Sequence, residues 1–531
     1  MSSDVFKDLR SAYLLGETIA VKDLPNSSVR GVVRTAMGDE VEEIIVDGSL
    51  TFNGLPIGTH TLETLSKDGV ILGEELFGIR EFVGDDPVMG FVTSFDELSV
   101  PSTLSWLRDL RCTVVQVYDW MDSYSEPLSM DSSYEDPLGR HIEKESLIGL
   151  IQGIKAIGAV AQAYAPVIAA DEDLAVINPE WRLFRSDGNP QSLGDLLQIM
   201  DPGSPSWQRH WIDRYGTAAD ALGFDGFHLD TYGYPRVALD VDGTIVDVVA
   251  GYEEFVSLVR QMRPKDVISF NQVNGVPRGF NHVPRPNFRY VEVWPPNNKF
   301  RHLEGLLERS AGDGQTRGNV LAVYPPVWSS DRQDALRTCL IVESVSAMLG
   351  ASTLLWGDLD GVLNHPYYVT HETLDGRERS IALEWHRFAL RYRDLFRTGV
   401  DTSWFELEDE NASVTISWDG ETLPEPVEGT LFVRVLRTTS TIVVGLLDLT
   451  GSVDGSWLSG MGRGRVEFAD VSVLLNSPER WRIDAASVMA NGGRFAPVES
   501  SPVTLREGEG IICRVALTTG WTILRLALGE P

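Results

Sequence analysis

The sequence predicts a multidomain protein built on a (β/α)8 barrel with a β-sandwich on either side. Three observations carry this. At 531 residues the chain is too long for one hydrophobic core, and at roughly 150 residues per domain it suggests about three. Its central part alternates strand-like and helix-like segments. Its two ends carry only short alternating runs broken by Gly, Pro and Asn.

The first of these zones, residues 1–88, contains SSVRGVVRTA and EEIIVDGSLTFNGLPIGTHTLETLSKDGVILGEELFGI, the spacing of a small immunoglobulin-like sandwich. In the central zone, residues 89–398, eight strands are expected: FVTSFD (91–96), TVVQVYDW (113–120), AVAQAYAPVI (159–168), FDGFHLD (224–230), VISFNQV (267–273), YVEVW (290–294), NVLAVYPPV (319–327) and STLLWGD (352–358). Helix-like segments follow most of them, among them STLSWLRDL, ESLIGLIQGIKAI, SWQRHWIDRYGTAADAL, YEEFVSLVRQM and LRTCLIVESVSAML. Eight such units fit a barrel, with a large doubly wound sheet as the alternative. The third zone, residues 399–531, returns to strands in SVTISWDG, GTLFVRVLRTTSTIVVGLLDLT, RVEFADVSVLLN, GIICRVAL and WTILRLAL, a second sandwich.

Composition narrows the partners. A formal net charge of −32 repels phosphate backbones and anionic lipid, so neither nucleic acid nor a membrane surface is an expected partner and a neutral ligand is. No segment approaches the ~20 apolar residues of a membrane span. The N-terminal MSSDVFKDLRSAYLLGETIAV lacks a basic region followed by an apolar one, so a cytoplasmic location is expected. Cys112, Cys339 and Cys513 are odd in number and lie in apolar runs, which reads as buried free thiols.

A barrel carries its chemistry at the C-terminal ends of its strands. Here those ends hold Tyr118, Asp119 and Trp120; Tyr164; His228 and Asp230; Asn271 and Asn274; Glu292 and Trp294; Tyr324; Trp356 and Asp358. Long loops after strands two and three suggest a cleft. Glu292, between Val291, Val293 and Trp294, sits where lost solvation keeps a carboxyl protonated, the requirement for a general acid. Asp230 ends its strand beside Thr231 and Tyr232, where hydrogen bonds favour the ionised form of a nucleophile. Two carboxyls with pKa values pushed apart are the working parts of a glycosidase; the alternative is a pair of structural acids.

The ordered set VQVYDWM, YEDPLGR, GIKAIGAVAQAYAPVIAA, GFDGFHLDTYG, ISFNQVNG and YVEVWP resembles the glycoside hydrolase family 66 dextranases and cycloisomaltooligosaccharide glucanotransferases. The resemblance implies a barrel between an immunoglobulin-like domain and a C-terminal Greek-key β-sandwich, and retaining attack on α-1,6-linked glucan. It implies Asp230 as nucleophile and Glu292 as acid/base, with no metal or other cofactor. Tyr118, Asp119, Trp120, Tyr164, His228, Asn271 and Trp294 would then line the sugar subsites. The absence of a visible leader favours isomaltooligosaccharides or another α-glucoside over long dextran. No stretch is long enough for the carbohydrate-binding insert of the cyclising members, which favours hydrolysis over cyclisation. A transglycosylase on the same site and a silent carbohydrate-binding barrel are the alternatives.

Other motifs compete. DVDGTIVD (240–247) resembles a phosphatase opening with Asp240 and Asp242 as its acids, but it follows a segment containing Gly233 and Pro235; Asp-Gly between ALDV and TIVDVV predicts a hairpin instead. GMGRGR (460–465) lies in a β-rich region with no helix after it and reads as a mobile turn rather than a phosphate cradle. The acids of SYEDPLGRH and AADEDL lack calcium-loop spacing and read as solvated loop acids. Sequons at Asn26 and Asn411 carry little weight without secretion.

Overall fold

The structure, a computed structural model, describes residues 6–528 apart from 26, 37, 195, 232, 279, 281–283, 312–317, 327, 329–330, 366–370, 399, 402–413, 438–440, 475–479, 506–507 and 518–519. Asn26, Tyr232 and Asn411 therefore lie outside the described residues.

Eight parallel strands form the central sheet: β1 (Met89–Val92), β2 (Val114–Val117), β3 (Val160–Pro166), β4 (Gly226–Asp230), β5 (Val267–Asn271), β6 (Phe288–Glu292), β7 (Asn319–Ala322) and β8 (Ser352–Leu354), neighbours in that order. Each lies within one of the eight expected segments or overlaps it. The sheet is brought round on itself by side chains. The Ser352 hydroxyl donates to the Pro87 carbonyl at 2.6 Å, and Asp358 accepts from the backbone N–H groups of Thr93 and Ser94 at 2.9 Å each. Asp358 is thus a clasp between the ends of β8 and β1.

Strand periodicity explains the interior. Register pairing puts Gln116, Gln162, His228, Ser269 and Tyr290 on the same face of the sheet as Tyr164, Asp230, Asn271 and Glu292 two residues on. Below them the same face carries Met89, Val114, Val160, Val267, Phe288 and Val320, a packed apolar floor. The intervening residues, Val115, Ala161, Ala163, Phe227, Leu229, Ile268, Phe270, Val291 and Leu321, belong to the main core that the helices cover. Strand segments such as VQVY, AQAY, FHLD and ISFN therefore read polar inward and apolar outward. At Gly226 the backbones of β4 and β5 come so close that a Cβ would lie 2.1 Å from the Val267 carbonyl oxygen.

The connections depart from eight equal βα units. Helices α1 (Val100–Asp109), α2 (Lys144–Ala156), α3 (Pro205–Leu222), α4 (Val248–Met262), α5 (His302–Ala311), α6 (Arg332–Met348) and α7 (Gly376–Tyr392) accompany the other strands. Between β5 and β6 the described residues hold only the short 3-10 turn Val273–Gly275. The DVDGTIVD segment is the expected hairpin: Val237–Leu239 pairs with Ile245–Asp247, and Asp240 closes the turn by accepting from the N–H groups of Asp242 (3.0 Å) and Thr244 (2.8 Å). Asp247 then caps α4.

Residues 12–80 hold a five-stranded sheet facing the two-stranded pair Ile19–Val21 and Leu50–Phe52 around Val21, Phe52 and Leu62. Beyond the barrel, a seven-stranded and a four-stranded sheet enclose Leu431, Val444, Val471 and Leu524. Most pairings in both flanking units are antiparallel; Ala12–Leu14 against Ile71–Arg80 and Thr422–Leu423 against Leu431–Arg437 are parallel. In GMGRGR two N–H groups are taken up within the unit, Gly462 donating to the Gly451 carbonyl and Arg465 to the Thr450 hydroxyl, and the adjoining Val466 donates to Asp448, so the expected mobile turn is held to its neighbours at these points.

Charge joins the three units. Glu74 of the first unit pairs with Arg391 of α7 and with Arg494 of the last, while buried Asp86 is ringed by Arg80, Arg393 and Arg397, which hold its carboxyl far below the usual range against the cost of burial. The last unit also braces the loop after β6: Lys299 donates to the Asp454 carbonyl at 2.7 Å, Phe300 N–H to Gly455 at 2.9 Å, and the Phe300 ring packs on Trp457. Cys112, Cys339 and Cys513 are buried and free, and burial pushes the Cys112 thiol up to about 12.

Gly226→Ala is expected to cost on the order of 3 kcal/mol or more, because two paired backbones have to part. Gly223→Ala, whose Cβ meets nothing within 4 Å at φ +85°, is expected to cost about 1 kcal/mol. Equal urea-denaturation midpoints for the two variants would contradict this account of the barrel.

Candidate active site

The inward polar residues converge at the C-terminal mouth of the barrel on a cavity of about 330 Å³. Asp230 ends β4 and Glu292 ends β6, and Asn271 ends β5 between them. The Asn271 side-chain N–H2 group donates to both carboxylates, at 2.8 Å to Asp230 Oδ1 and 2.9 Å to Glu292 Oε2. Its own oxygen accepts from the Glu292 backbone N–H at 3.3 Å, which fixes the amide's orientation. The two carboxylate oxygens on one nitrogen are thereby held within roughly 6 Å of each other. Tyrosines complete the frame: the Tyr164 hydroxyl donates to Asp230 Oδ2 at 2.8 Å and the Tyr324 hydroxyl to Glu292 Oε1 at 2.9 Å.

Electrostatics divide the pair. Burial raises Asp230, opposed by hydrogen bonds from Asn271, Tyr164 and the backbone at Thr231. Burial, then the charge of Asp230, pushes Glu292 up to about 7, against weaker opposition from Trp294, Asn271 and Tyr324. Two like charges so close do not both ionise readily, so the pair holds one proton near neutral pH. Each carboxyl takes three stabilising hydrogen bonds, so what separates the two is the charge of Asp230, which raises Glu292 further; one ionised carboxylate beside one protonated carboxyl is an arrangement that can pair a nucleophile with a general acid.

The other expected residues divide. Tyr118, Tyr164, His228 and Trp294 line the cavity, with the Tyr118 and Tyr164 rings 4.5 Å apart and the Trp294 backbone N–H donating to Asn274 Oδ1 at 2.9 Å. Asp119 lines it too, buried at 2% exposure, and burial foremost pushes its carboxyl up to about 8, with the charges of Asp136 and Asp230 adding and Arg140 opposing. Trp120 is a correction: it is fully buried, donates to the Tyr164 carbonyl at 3.0 Å and packs on Phe224 and Tyr215 away from the cavity. Asp119 at φ +45° breaks the strand alternation and turns the next side chain into the core.

Of the two acids of YEDPLGR, Glu135 is exposed as expected, whereas Asp136 is not solvated. Asp136 is buried on Arg140, whose guanidinium reaches the Thr93 and Asp119 carbonyls at 3.0 and 3.2 Å and so holds the Asp119 turn. Among the described residues no cluster of three or more His, Cys, Asp or Glu is placed to hold a metal. Sequence reasoning missed Tyr290, which lines the cavity two residues before Glu292, and gave no role to Tyr324. Period-two alternation was the available signal for Tyr290.

A parallel barrel whose mouth presents one protonated and one hydrogen-bonded carboxylate is the framework of a glycosidase. The sequence model of glycosyl hydrolase family 66 matches residues 83–465, and the chain belongs to that family. It is 25% identical over 270 residues to the cycloisomaltooligosaccharide glucanotransferase of Niallia circulans, covering 46% of this chain and 27% of that protein. It is 24% identical over 295 residues to the dextranase of Streptococcus salivarius, covering 48% of this chain and 35% of that one. The chain thus spans about a third or less of the length of these relatives. The crystal structure of Paenibacillus sp. cycloisomaltooligosaccharide glucanotransferase complexed with cycloisomaltoheptaose superposes with a TM-score of 0.81 at 16% identity, over 97% of this chain and 98% of that one. A cyclomaltodextrinase superposes less closely, with a TM-score of 0.51 at 11% identity over 98% of each chain.

Two outcomes test the electrostatics. Asn271→Ala is expected to lower kcat about a hundredfold and to move the basic limb of the pH profile upward, because the lost hydrogen bond favoured ionised Glu292; an unmoved limb contradicts the bridging role. Glu292 rises on folding from 4.5 to about 7, so the stability it gives is fully present below 4.5 and lost as pH climbs through 7. Glu292→Gln is therefore expected to melt above wild type at pH 8 and with it at pH 4; a gain that is the same at both contradicts the raised pKa.

Proposed function

We propose that the protein is a retaining glycoside hydrolase of α-1,6-linked glucan, acting on isomaltooligosaccharides or dextran. The observation that carries this reading is the Asn271 amide bonded to both carboxylates. A spacing within roughly 6 Å suits direct attack by one carboxylate, near the 5–5.5 Å of retaining enzymes; inverting enzymes leave about 6.5–9.5 Å for a water. The linkage rests on family membership and on relatives named as a dextranase and as cycloisomaltooligosaccharide glucanotransferases.

In this scheme Asp230 attacks the anomeric carbon while Glu292 gives its proton to the leaving glycosidic oxygen, and the C–O bond breaks as the Asp230 ester forms. Glu292, now ionised, takes a proton from an incoming water, which displaces Asp230 and restores the starting protonation. Tyr164 and Asn271 hold Asp230 in line throughout, and Tyr118 and Trp294 offer aromatic faces to the sugar rings. Asp119, kept protonated by burial, presents a donor as well as an acceptor to a sugar hydroxyl. The second reading, transfer to a sugar hydroxyl in place of water, is favoured by the near full-length superposition on a glucanotransferase.

Asp230→Gly and Glu292→Gln are each expected to lose several orders of magnitude in turnover on isomaltooligosaccharides. Azide is expected to restore part of the rate to Asp230→Gly and to leave a glycosyl azide as product. Near wild-type turnover in either variant sinks the assignment. Chromatography of wild-type products separates the two readings: short reducing sugars for hydrolysis, lengthened or cyclic ones for transfer, and binding with no turnover would indicate a silent carbohydrate-binding barrel.

A further inference from the structure

Beneath Asp230 a chain of hydrogen bonds crosses three strands and fixes a proton position. It starts at Gln162, fully buried on β3. The Gln162 amide nitrogen donates to two backbone carbonyls, Phe227 at 3.2 Å and Val267 at 2.9 Å. Both partners accept only, so the amide cannot be reversed, and its oxygen must be the acceptor facing β5. There the Ser269 hydroxyl donates to Gln162 Oε1 at 3.1 Å. A serine has one proton to give, so its oxygen meets His228 Nδ1, 2.9 Å away, as an acceptor. His228 Nδ1 therefore carries a hydrogen.

The second nitrogen follows by exclusion. His228 is 1% exposed, and burial pushes it down to about 3, so the ring is neutral at working pH and Nε2 carries no proton. Nε2 has no hydrogen-bond partner among the described residues, and the ring forms part of the cavity wall two residues before Asp230, packed edge-on to Tyr290 at 4.5 Å. Nε2 is thus an acceptor open to the cavity, where a bound group can donate to it.

We propose that His228 Nε2 is a fixed hydrogen-bond acceptor that selects one hydroxyl of the sugar bound over Asp230, and that Gln162 and Ser269 are positioning residues that set its tautomer. The proposal rests on the glycosidase reading of the site and adds a specificity element to it. A site that only accepts discriminates against a sugar whose hydroxyl is replaced by an acceptor. Fluorine is such a replacement: it takes a hydrogen bond weakly and gives none. A donating histidine would tolerate fluorine better than hydrogen at the same carbon; an accepting one gains nothing from it.

The test has a part that needs no substrate. In protein labelled with 15N-histidine, and with the His228 resonance assigned by its loss in His228→Gln, Nδ1 is expected at a pyrrole-type shift and Nε2 at a pyridine-type shift. Ser269→Ala, which removes the acceptor from Nδ1, is expected to redistribute the tautomers. The kinetic part measures kcat/KM on isomaltosides carrying hydrogen or fluorine at each ring hydroxyl of the sugar to be transferred. One position is expected at which deoxy and deoxyfluoro substrates both fall about tenfold or more, with that penalty lost in His228→Gln. A protonated Nε2, recovery by fluorine at every penalised position, or a penalty that persists in His228→Gln overturns the proposal. If wild type turned over no α-1,6-glucoside, the glucan reading would fail and the sugar hydroxyl with it, while the nitrogen shifts would still decide the tautomer.

Discussion

Much in this molecule depends on the side chain of Asn271. One amide group donates to the carboxylates of Asp230 and Glu292 together and takes its orientation from the Glu292 backbone. It draws two like-charged groups to a spacing they would not hold alone, and it favours their ionised forms while burial favours the neutral ones. The outcome is a shared proton near neutral pH, with Glu292 raised further by the charge of Asp230. Glycosidic chemistry by a nucleophile and an acid needs that asymmetry.

The rest of the fold serves to keep this amide and its partners in register. Parallel strands with alternating side chains place residues 271, 230 and 292 at one rim and stack Gln162, Ser269 and His228 one layer below. The close approach of β4 to β5 at Gly226 sets where Asp230 meets Asn271. Farther out, the last unit grips the loop beyond Glu292 through Lys299 and Phe300, and the ion pairs of Glu74 tie that unit to the first one across α7. The last unit therefore braces the loop that follows Glu292, while the cavity itself is lined by barrel residues.

The barrel was legible because its strands obey two periods at once, apolar outward and polar inward, and because strand-end residues such as Asp230 and Glu292 stand out against their apolar neighbours. The Asp-Gly turn of DVDGTIVD was legible as a hairpin for the same local reason. Trp120 was misread because the strand was carried to residue 120 and every residue of its end given to the cleft, whereas β2 stops at Val117 and the positive φ of Asp119 turns the next side chain into the core. Helix Gly376–Tyr392 escaped notice because its buried face includes His386 and Arg391, whose partners lie on other elements: Glu343 of α6 and, for Arg391, Glu74 and the Gly492 carbonyl. The bridging role of Asn271 was also out of reach. It depends on three strands meeting, which no local pattern encodes.

The central claim is that Asp230 becomes covalently bonded to the sugar, and trapping that ester tests it most directly. A 5-fluoro-α-glucosyl fluoride, which slows breakdown of the intermediate more than its formation, would be incubated with the intact protein and the digest read by mass spectrometry. The account predicts the mass of one fluoroglucosyl group on the peptide containing Asp230, absent from Asp230→Gly, with the anomeric configuration of natural products retained. An unlabelled Asp230 together with products of inverted configuration would contradict it.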